Sequence, residues 1–123
     1  MKSALGLVLL GSLLGLPAQA QEIETGAIML CDTQKQVERF AQLFEGDRQA
    51  ALSAVNSEEN DPTACAMADV AYVQGPQLGM ARSRSHAFGI IPIVVVAVAT
   101  PRGYRPVNPA RFFTPATIVE FAA

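Results

Sequence analysis

The sequence predicts an α+β fold, in which an N-terminal helical hairpin packs on a small antiparallel sheet of three to four strands. Two observations lead to this prediction. Apolar residues recur with the period of a helix between residues 33 and 55, and β-branched residues dominate later segments, above all Phe88–Ala99. A run of helices followed by a run of strands is typical of α+β domains with an antiparallel sheet.

Residues 1–20 have the three parts of a secretory signal peptide. Lys2 supplies the positive charge, Ala4–Leu16 is uncharged and rich in leucine, and Pro17 precedes a small-x-small cleavage sequence. The apolar stretch is shorter than the roughly 20 residues that a membrane-spanning helix needs, so we expect cleavage rather than anchoring. The residues that define the cleavage site are Ala18, Ala20 and Gln21.

Cleavage would leave one domain in the periplasm or outside the cell. Residues 21–26 are predicted to form a flexible leader and residues 27–123 a single α+β domain, which is long enough to bury one modest core. The mature part contains no segment long and apolar enough for a transmembrane helix. Apolar residues make up 50% of the whole chain, which argues against a disordered protein.

The first predicted helix begins at Asp32 or Thr33. Thr33 followed three residues later by Gln36 fits a capping box, in which each side chain bonds the other residue's backbone. Gly46 is expected to end the helix in a left-handed conformation. The spacing i, i+3, i+4 and i+7 places four apolar residues on one face of this helix, namely Val37, Phe40, Ala41 and Phe44.

A second helix is predicted from Arg48 to about Val55, with Asp47 as its cap. The polar segment 56–62 contains a proline and is predicted to be a loop. Before the hairpin, the apolar stretch Ala27–Leu30 fits either a first strand or a segment that simply packs against the first helix.

The strand region begins after Cys65, where residues 66–73 alternate in the manner of a strand. Residues 77–85 are ambiguous. Phe88–Ala99 is apolar at odd and even positions, as expected for a strand covered on both faces. Pro92 interrupts this strand; because it has no N–H, we expect it at a bulge or where no neighbouring strand needs a donor.

Residues 101–103 predict a turn, residues 104–107 a returning strand, and residues 117–121 a last short strand. The helical hairpin is expected to cover one face of the long strand at 88–99, with Phe40 and Phe44 against it. The other face is expected to be covered by a partner or by late aromatic residues, which are Phe112, Phe113 and Phe121.

Cys31 and Cys65 are the only cysteines, and both follow the predicted cleavage site. In an oxidising compartment an even pair is most simply one disulfide. This bridge would close a loop of about 35 residues and stabilise the domain by roughly 4 kcal/mol. The alternatives are a reactive thiol or a metal site, but His86 is the only other soft ligand and no paired-ligand spacing exists. We therefore predict no metal and no cofactor.

Charge is unevenly distributed along the chain, whose net charge is −2. Residues 21–69 contain ten acidic and three basic residues, whereas residues 70–123 contain five arginines and one glutamate. The simplest explanation is that the two halves attract each other across the fold. The acidic balance argues against general nucleic-acid binding, which usually requires a strongly basic domain.

Five segments, spread over most of the mature chain, carry a family resemblance: Cys31-Asp32-Thr33, Gln36-Val37-Glu38-Arg39-Phe40, Ala54-Val55-Asn56, Asp61-Pro62-Thr63-Ala64-Cys65 and Phe112-Phe113. Together they resemble a family of short, uncharacterised secreted proteins of Gram-negative bacteria. The spacing of the two cysteines is the most specific part. The resemblance implies a periplasmic location and supports the disulfide, and it implies no activity.

Catalytic constellations are mostly absent from the sequence, so the protein is predicted not to be an enzyme. His86 is the only histidine, and a triad would need Ser83 or Ser85 beside it. The acid would have to be a residue such as Asp69, and no Gly-x-Ser-x-Gly motif occurs. The carboxylates of residues 58–61 are more typical of a solvated loop than of an acid–base pair or a calcium loop.

The most basic local segment contains Arg82, Arg84 and His86. In an extended segment alternate side chains point the same way, so these three would line up and hold a carboxylate, a phosphate or an acidic protein surface. The alternative is an exposed edge or loop that charge keeps from aggregating. The remaining arginines of this half are interpreted as solvated turn residues; they are Arg102, Arg105 and Arg111.

Three functional hypotheses follow. The leading one is a non-enzymatic interaction module of the cell envelope, whose partner is an envelope protein or an anionic cell-wall component. The second is a small hydrolase or thiol enzyme that uses His86. The third is a structural or stress-related envelope protein without a specific ligand. The sequence predicts neither an oligomeric state nor a strand order.

Overall fold

A computed structural model describes residues 22–120 of the chain. The predicted signal peptide and its cleavage site lie outside the described residues, as does Phe121. The elements in chain order are β1 (Ile23–Cys31), α1 (Gln34–Leu43), α2 (Arg48–Glu59), β2 (Cys65–Gln74), β3 (Gly79–Arg82), β4 (His86–Thr100) and β5 (Gly103–Glu120). The predicted α+β class is confirmed, but the antiparallel sheet has five strands rather than three to four.

The first strand starts earlier than predicted. β1 begins at Ile23, so the assignment of residues 23–26 to a flexible leader is wrong, and Ala27–Leu30 is part of a strand. β1 pairs antiparallel with β2 along its whole length, from Ile23 opposite Val73 to Cys31 opposite Cys65. Gly26, whose φ is +149°, is a residue that local sequence rules would place outside a strand. It is nevertheless part of β1, because β2 supplies the backbone hydrogen bonds, and this pairing cannot be recognised from local composition.

The predicted helical hairpin is confirmed, with changes at two helix ends. Thr33 caps α1, and it forms the full capping box with Gln36. α1 ends before Gly46, whose φ of +106° lies in the connecting loop. α2 continues to Glu59 instead of ending near residue 55, because Asn60 adopts the left-handed conformation (φ 56°) that terminates the helix.

β4 is the central strand of the sheet. One of its edges pairs with β5, while the other pairs first with β3, up to Ile90, and then with β2, from Ile93 onward. Pro92 lies between these two neighbours, where no neighbouring strand needs an N–H donor from this position. This is one of the two positions that the sequence predicted for Pro92. The carbonyl of Pro92 accepts a hydrogen bond from the N–H of Gly75 (2.8 Å). The additional β2–β4 pairing closes a ring of β1, β2, β4 and β5.

Two clusters of buried residues lie on opposite faces of the sheet. The first joins the helices to the sheet, where Phe40 packs against Phe88 with ring centroids 5.7 Å apart. The second includes Tyr72, Ile93 and Val95 and lies on the other face. The long strand is therefore covered on both faces up to Pro92, as predicted, whereas beyond Pro92 one face is partly open at Val94. The late aromatic residues divide between the two sides, with Phe113 against the first cluster and Phe112 against the second.

β5 is one long strand where the sequence predicted two. Pro106, Pro109 and Pro115 all lie within it. Residues 107–109 bulge out between Pro106, which pairs with Ala97, and Ala110, which pairs with Val95. Prolines are tolerated because over most of its length β5 has a strand neighbour on one edge only, so an N–H facing the other edge is not required.

Candidate functional site

The predicted disulfide between Cys31 and Cys65 is confirmed. Cys31 ends β1 and Cys65 begins β2, so the bridge joins two directly opposed residues at the point where the helical hairpin leaves the sheet. Both cysteines are completely buried, and neither thiol is free. This bond is compatible with an oxidising compartment and leaves the chain without a nucleophilic thiolate.

The base of the hairpin is also held by hydrogen bonds that sequence reasoning missed. Asn56 on α2 accepts the N–H of Cys65 through Oδ1 (2.8 Å), and its Nδ2 donates to the Cys65 carbonyl (2.9 Å). The N–H of Asp32 donates to the carbonyl of Ala64 (2.9 Å). Asn56 therefore acts as a strand neighbour for β2. Sequence reasoning placed Asn56 in a polar loop (residues 56–62) and therefore missed this contact.

Two carboxylates, those of Glu59 and Asp32, lie near this base. Gln36, itself buried, donates from Nε2 to Glu59 (3.0 Å). Asp32 is exposed, but partial desolvation by the surrounding protein, and secondarily the charge of Asp61, raise the pKa of its carboxyl above the ordinary value. Within residues 22–120 no group of three His, Cys, Asp or Glu side chains is placed to hold a metal ion. The capping box of Gln36 and its hydrogen bond to Glu59 give these two residues a structural role.

The basic segment at 82–86 is a tight turn and not the extended segment that the predicted alignment required. Arg82 ends β3 and His86 begins β4, and the N–H of Ser83 donates to the carbonyl of His86 (3.0 Å). The hydroxyl of Ser83 accepts from the N–H groups of Ser85 and His86 (both 3.2 Å). Side chains in a turn do not alternate as in a strand, so the inference that Arg82, Arg84 and His86 form one row is wrong.

The three side chains of this segment have different surroundings. Arg82 is exposed and donates from Nε to the carbonyl of Ser83 (3.1 Å), and Arg84 is exposed at the turn. His86 is partly buried, with its ring edge-on to Phe44 (4.7 Å between centroids) and stacked with Phe88 (6.0 Å). Partner binding by the two arginines stays a prediction, whereas the imidazole packs against the aromatic cluster under α1.

The residues of the suggested catalytic triad are divided between two ends of the sheet. His86 Nδ1 lies 2.8 Å from the Ser85 hydroxyl. Asp69 instead accepts a hydrogen bond from the Tyr104 hydroxyl (2.6 Å), beside the turn at the far end of β4. This hydrogen bond is the main cause of the raised pKa of Tyr104. The arrangement does not bring the proposed acid to the histidine.

An ion pair between described residues joins Arg39 to Glu58 at 2.9 Å, and both belong to the acidic half. The five arginines of the second half are exposed. The expectation that the two halves attract each other across the fold stays a prediction.

A groove of about 520 Å³ crosses the sheet beyond the helices. We call it the proline groove, because its residues include Pro76, Pro92 and Pro109; Val94, Val96 and Arg111 are also among them. Val94 is 37% exposed, which is high for a valine on a central strand. The groove joins three segments that are distant in sequence, so no local motif could have revealed it.

Arg111 supplies the charge of the proline groove. It was interpreted as a solvated turn residue, but it lies within β5. Its guanidinium carbon lies 5.3 Å from the centroid of the Phe113 ring, which orients the group by a cation–π contact. Arg111 makes no ion pair with any described residue, and none of the described residues that line the groove is acidic. The groove therefore combines an apolar surface with one accessible cation.

No protein-family model, no curated protein and no solved structure matches this chain. The resemblance to secreted Gram-negative proteins thus stays a prediction. None of the described helices is long and apolar enough to cross a membrane.

Proposed function

We propose that the mature chain is a non-enzymatic binding module of the cell envelope, and that its proline groove holds an extended acidic segment of another envelope protein. The observation that carries this proposal is the pairing of an apolar groove with Arg111, a cation without an ionic partner among the described residues. Extended segments bury alternate side chains in such grooves, while a rim cation selects for a carboxylate.

The alternatives receive less support. A thiol enzyme requires a thiolate, and both cysteines are joined in the disulfide. A hydrolase that depends on His86 would have to use an imidazole that packs between Phe44 and Phe88. The periplasmic location rests on the predicted signal peptide and agrees with the disulfide.

The proposal is tested with an array of synthetic ten-residue peptides in which valine alternates with polar residues, each made with and without a central aspartate. Arg111→Gln should weaken binding of the aspartate peptides about fivefold, since an exposed ion pair contributes up to about 1 kcal/mol. The neutral peptides should bind both proteins equally. Arg102→Gln, which removes the same charge from a turn outside the groove, is the matched control.

Val94→Asp should abolish binding of both peptide sets, because it places a carboxylate on the apolar surface of the groove. The proposal fails if the aspartate peptides bind wild type and Arg111→Gln equally, or if Val94→Asp leaves binding unchanged. Soluble peptidoglycan fragments are measured alongside; Arg111-dependent binding of these fragments alone would assign the groove to a cell-wall component and refute the peptide proposal.

A further inference from the structure

Strand β1 has an open edge. Its partner β2 covers one edge from Ile23 to Cys31, but on the other edge β1 pairs with β5 only at Cys31, opposite Phe113. Within residues 22–120 the stretch from Ile23 to Leu30 therefore has no strand on that side. Unpaired strand edges are templates for the addition of another strand.

Hydrogen-bond alternation identifies the backbone groups that face this open edge. The N–H and C=O of Cys65 both bond Asn56 and so point away from β1. Cys31 and Cys65 are thus a non-hydrogen-bonded pair, and such pairs alternate with hydrogen-bonded ones along an antiparallel ladder. Counting back by two residues, the N–H and C=O of Met29 and Ala27 point to the open edge.

The opposite wall is the second part of β5. After Phe113, residues 114–117 pair with β4 on one side only. Thr114, Pro115 and Thr117 line a cleft of about 320 Å³ together with Ala27 and Met29 of β1. β1 and β5 run antiparallel where they meet, so a strand inserted between them would run parallel to one and antiparallel to the other. We call this space the strand cleft.

The inner surface of the strand cleft is aromatic. Phe40, Phe44 and Phe88 all line it, and their ring centroids lie 5.2–5.7 Å apart, so the rings form a packed cluster. Met67 adds a flexible thioether at the rim and is 42% exposed. Phe40 and Phe88 are buried, so an incoming apolar side chain would contact the partly exposed Phe44 and Met67, with the two buried rings behind them.

The charge of the strand cleft is positive. Arg48 lines it, with Nη1 4.0 Å from the sulfur of Met67, and it makes no ion pair with any described residue. None of the described residues that line the strand cleft is acidic. A carboxylate on the incoming segment would meet a cation without an ionic competitor.

We propose that the strand cleft is a strand-complementation site, which binds an extended segment of another protein that carries an apolar residue for the aromatic surface and a carboxylate for Arg48. The segment must have two free edges, because strands bound the cleft on both sides. β1 of a second copy does not qualify, since β2 already occupies one of its edges. This site shares no residue with the proline groove and does not depend on the function proposed for that groove.

The test uses the mature protein and an eight-residue synthetic peptide with blocked ends, alternating apolar and polar residues and one aspartate. Amide hydrogen exchange measured by NMR should slow at least tenfold at Met29 and Ala27 when the peptide is saturating, because their N–H groups become hydrogen-bonded. The same peptide with N-methylated backbone at alternate residues should not bind. Arg48→Gln should weaken binding about fivefold, whereas the charge-matched control Arg84→Gln should not.

Three outcomes would overturn the proposal. The first is equal binding of the methylated and unmodified peptides, and the second is equal affinity of wild type and Arg48→Gln. The third is slowed exchange at Met29 and Ala27 without peptide that grows with protein concentration, which would make a second copy the occupant. Chemical-shift changes that are confined to Val94 and Val96, with no slowed exchange at Met29 and Ala27, would assign the peptide to the proline groove and refute binding in the strand cleft.

Discussion

Breaking the disulfide between Cys31 and Cys65 should lower the free energy of unfolding by about 4 kcal/mol. The two cysteines are 34 residues apart in sequence, and a covalent link of that span removes about this much chain entropy from the unfolded state at 25 °C. A small domain has a total stability of about 5–15 kcal/mol, so the loss is a large fraction of the whole. One bond would then supply between about a quarter and four fifths of the free energy of unfolding.

The assay is urea denaturation followed by far-UV circular dichroism, on oxidised protein, on protein reduced with a phosphine, and on Cys31→Ala/Cys65→Ala. Reduction keeps the buried sulfur atoms in place, so it isolates the effect of the link, whereas the double variant also loses their packing. The m-value, which is the slope of the free energy of unfolding against urea concentration, should increase in magnitude after reduction, because an unlinked chain exposes more surface when it unfolds. A reduced protein within about 1 kcal/mol of the oxidised form would refute the reasoning, and would show that the hydrogen bonds at the hairpin base suffice.

Three further predictions concern the hairpin base. Asn56→Ala should cost about 2–3 kcal/mol in urea denaturation, because it leaves the buried N–H and C=O of Cys65 without partners. Thr33→Ala should cost about 1 kcal/mol, since it removes the cap that bonds the N–H of Gln36. Asp32→Asn should raise stability at pH 7 by a few tenths of a kcal/mol, as expected for an exposed position, and the gain should vanish near pH 3.

The sign of the Asp32 effect follows from its raised pKa. The folded state holds the proton of this carboxyl more tightly than the unfolded state, so ionised Asp32 is destabilising above its folded pKa. Stability therefore increases as pH falls through that value, which lies above 3.8, and asparagine imitates the protonated form.

Ser57→Ala, an exposed neighbour on α2, is the control for Asn56 and should change stability by less than about 0.5 kcal/mol. A stabilising Thr33→Ala, or Asp32→Asn that destabilises at pH 7, would contradict the respective argument.

Local sequence patterns were sufficient to predict the helical hairpin and the central strand β4. The Thr33 and Gln36 capping box and the i, i+3, i+4 spacing act within a few residues, so they can be recognised in the sequence. The β-branched run of β4 is equally local. Residues 56–59 were wrongly assigned to a loop, because polar residues suit a loop as well as an exposed helix face. The second helix in fact ends at Glu59, where Asn60 adopts the left-handed conformation.

Long-range pairing explains what could not be predicted. β1 includes Gly26, and β5 includes Pro106 and Pro109, so both contain residues that normally break strands. Each is nevertheless a strand because a neighbour in the sheet supplies the hydrogen bonds, and the register between them depends on the whole fold. The proline groove has the same origin, because it unites residues of β2, β4 and β5 whose proximity no local pattern records.

The fold separates the stabilising bonds at the hairpin base from the proline groove. The disulfide and Asn56 act where the helical hairpin leaves the sheet, at Cys31 and Cys65. The proline groove draws on the opposite end of β2, from Val73 to Pro76, where the ladder passes to β4. The disulfide at one end of β2 stabilises the domain by restraining the unfolded chain, and it occupies no space at the other end. The groove can therefore keep its apolar surface and Arg111 exposed. Exposed apolar surface lowers the stability of a small domain. The disulfide and the hydrogen bonds of Asn56 offset that cost at a place that does not overlap the proline groove.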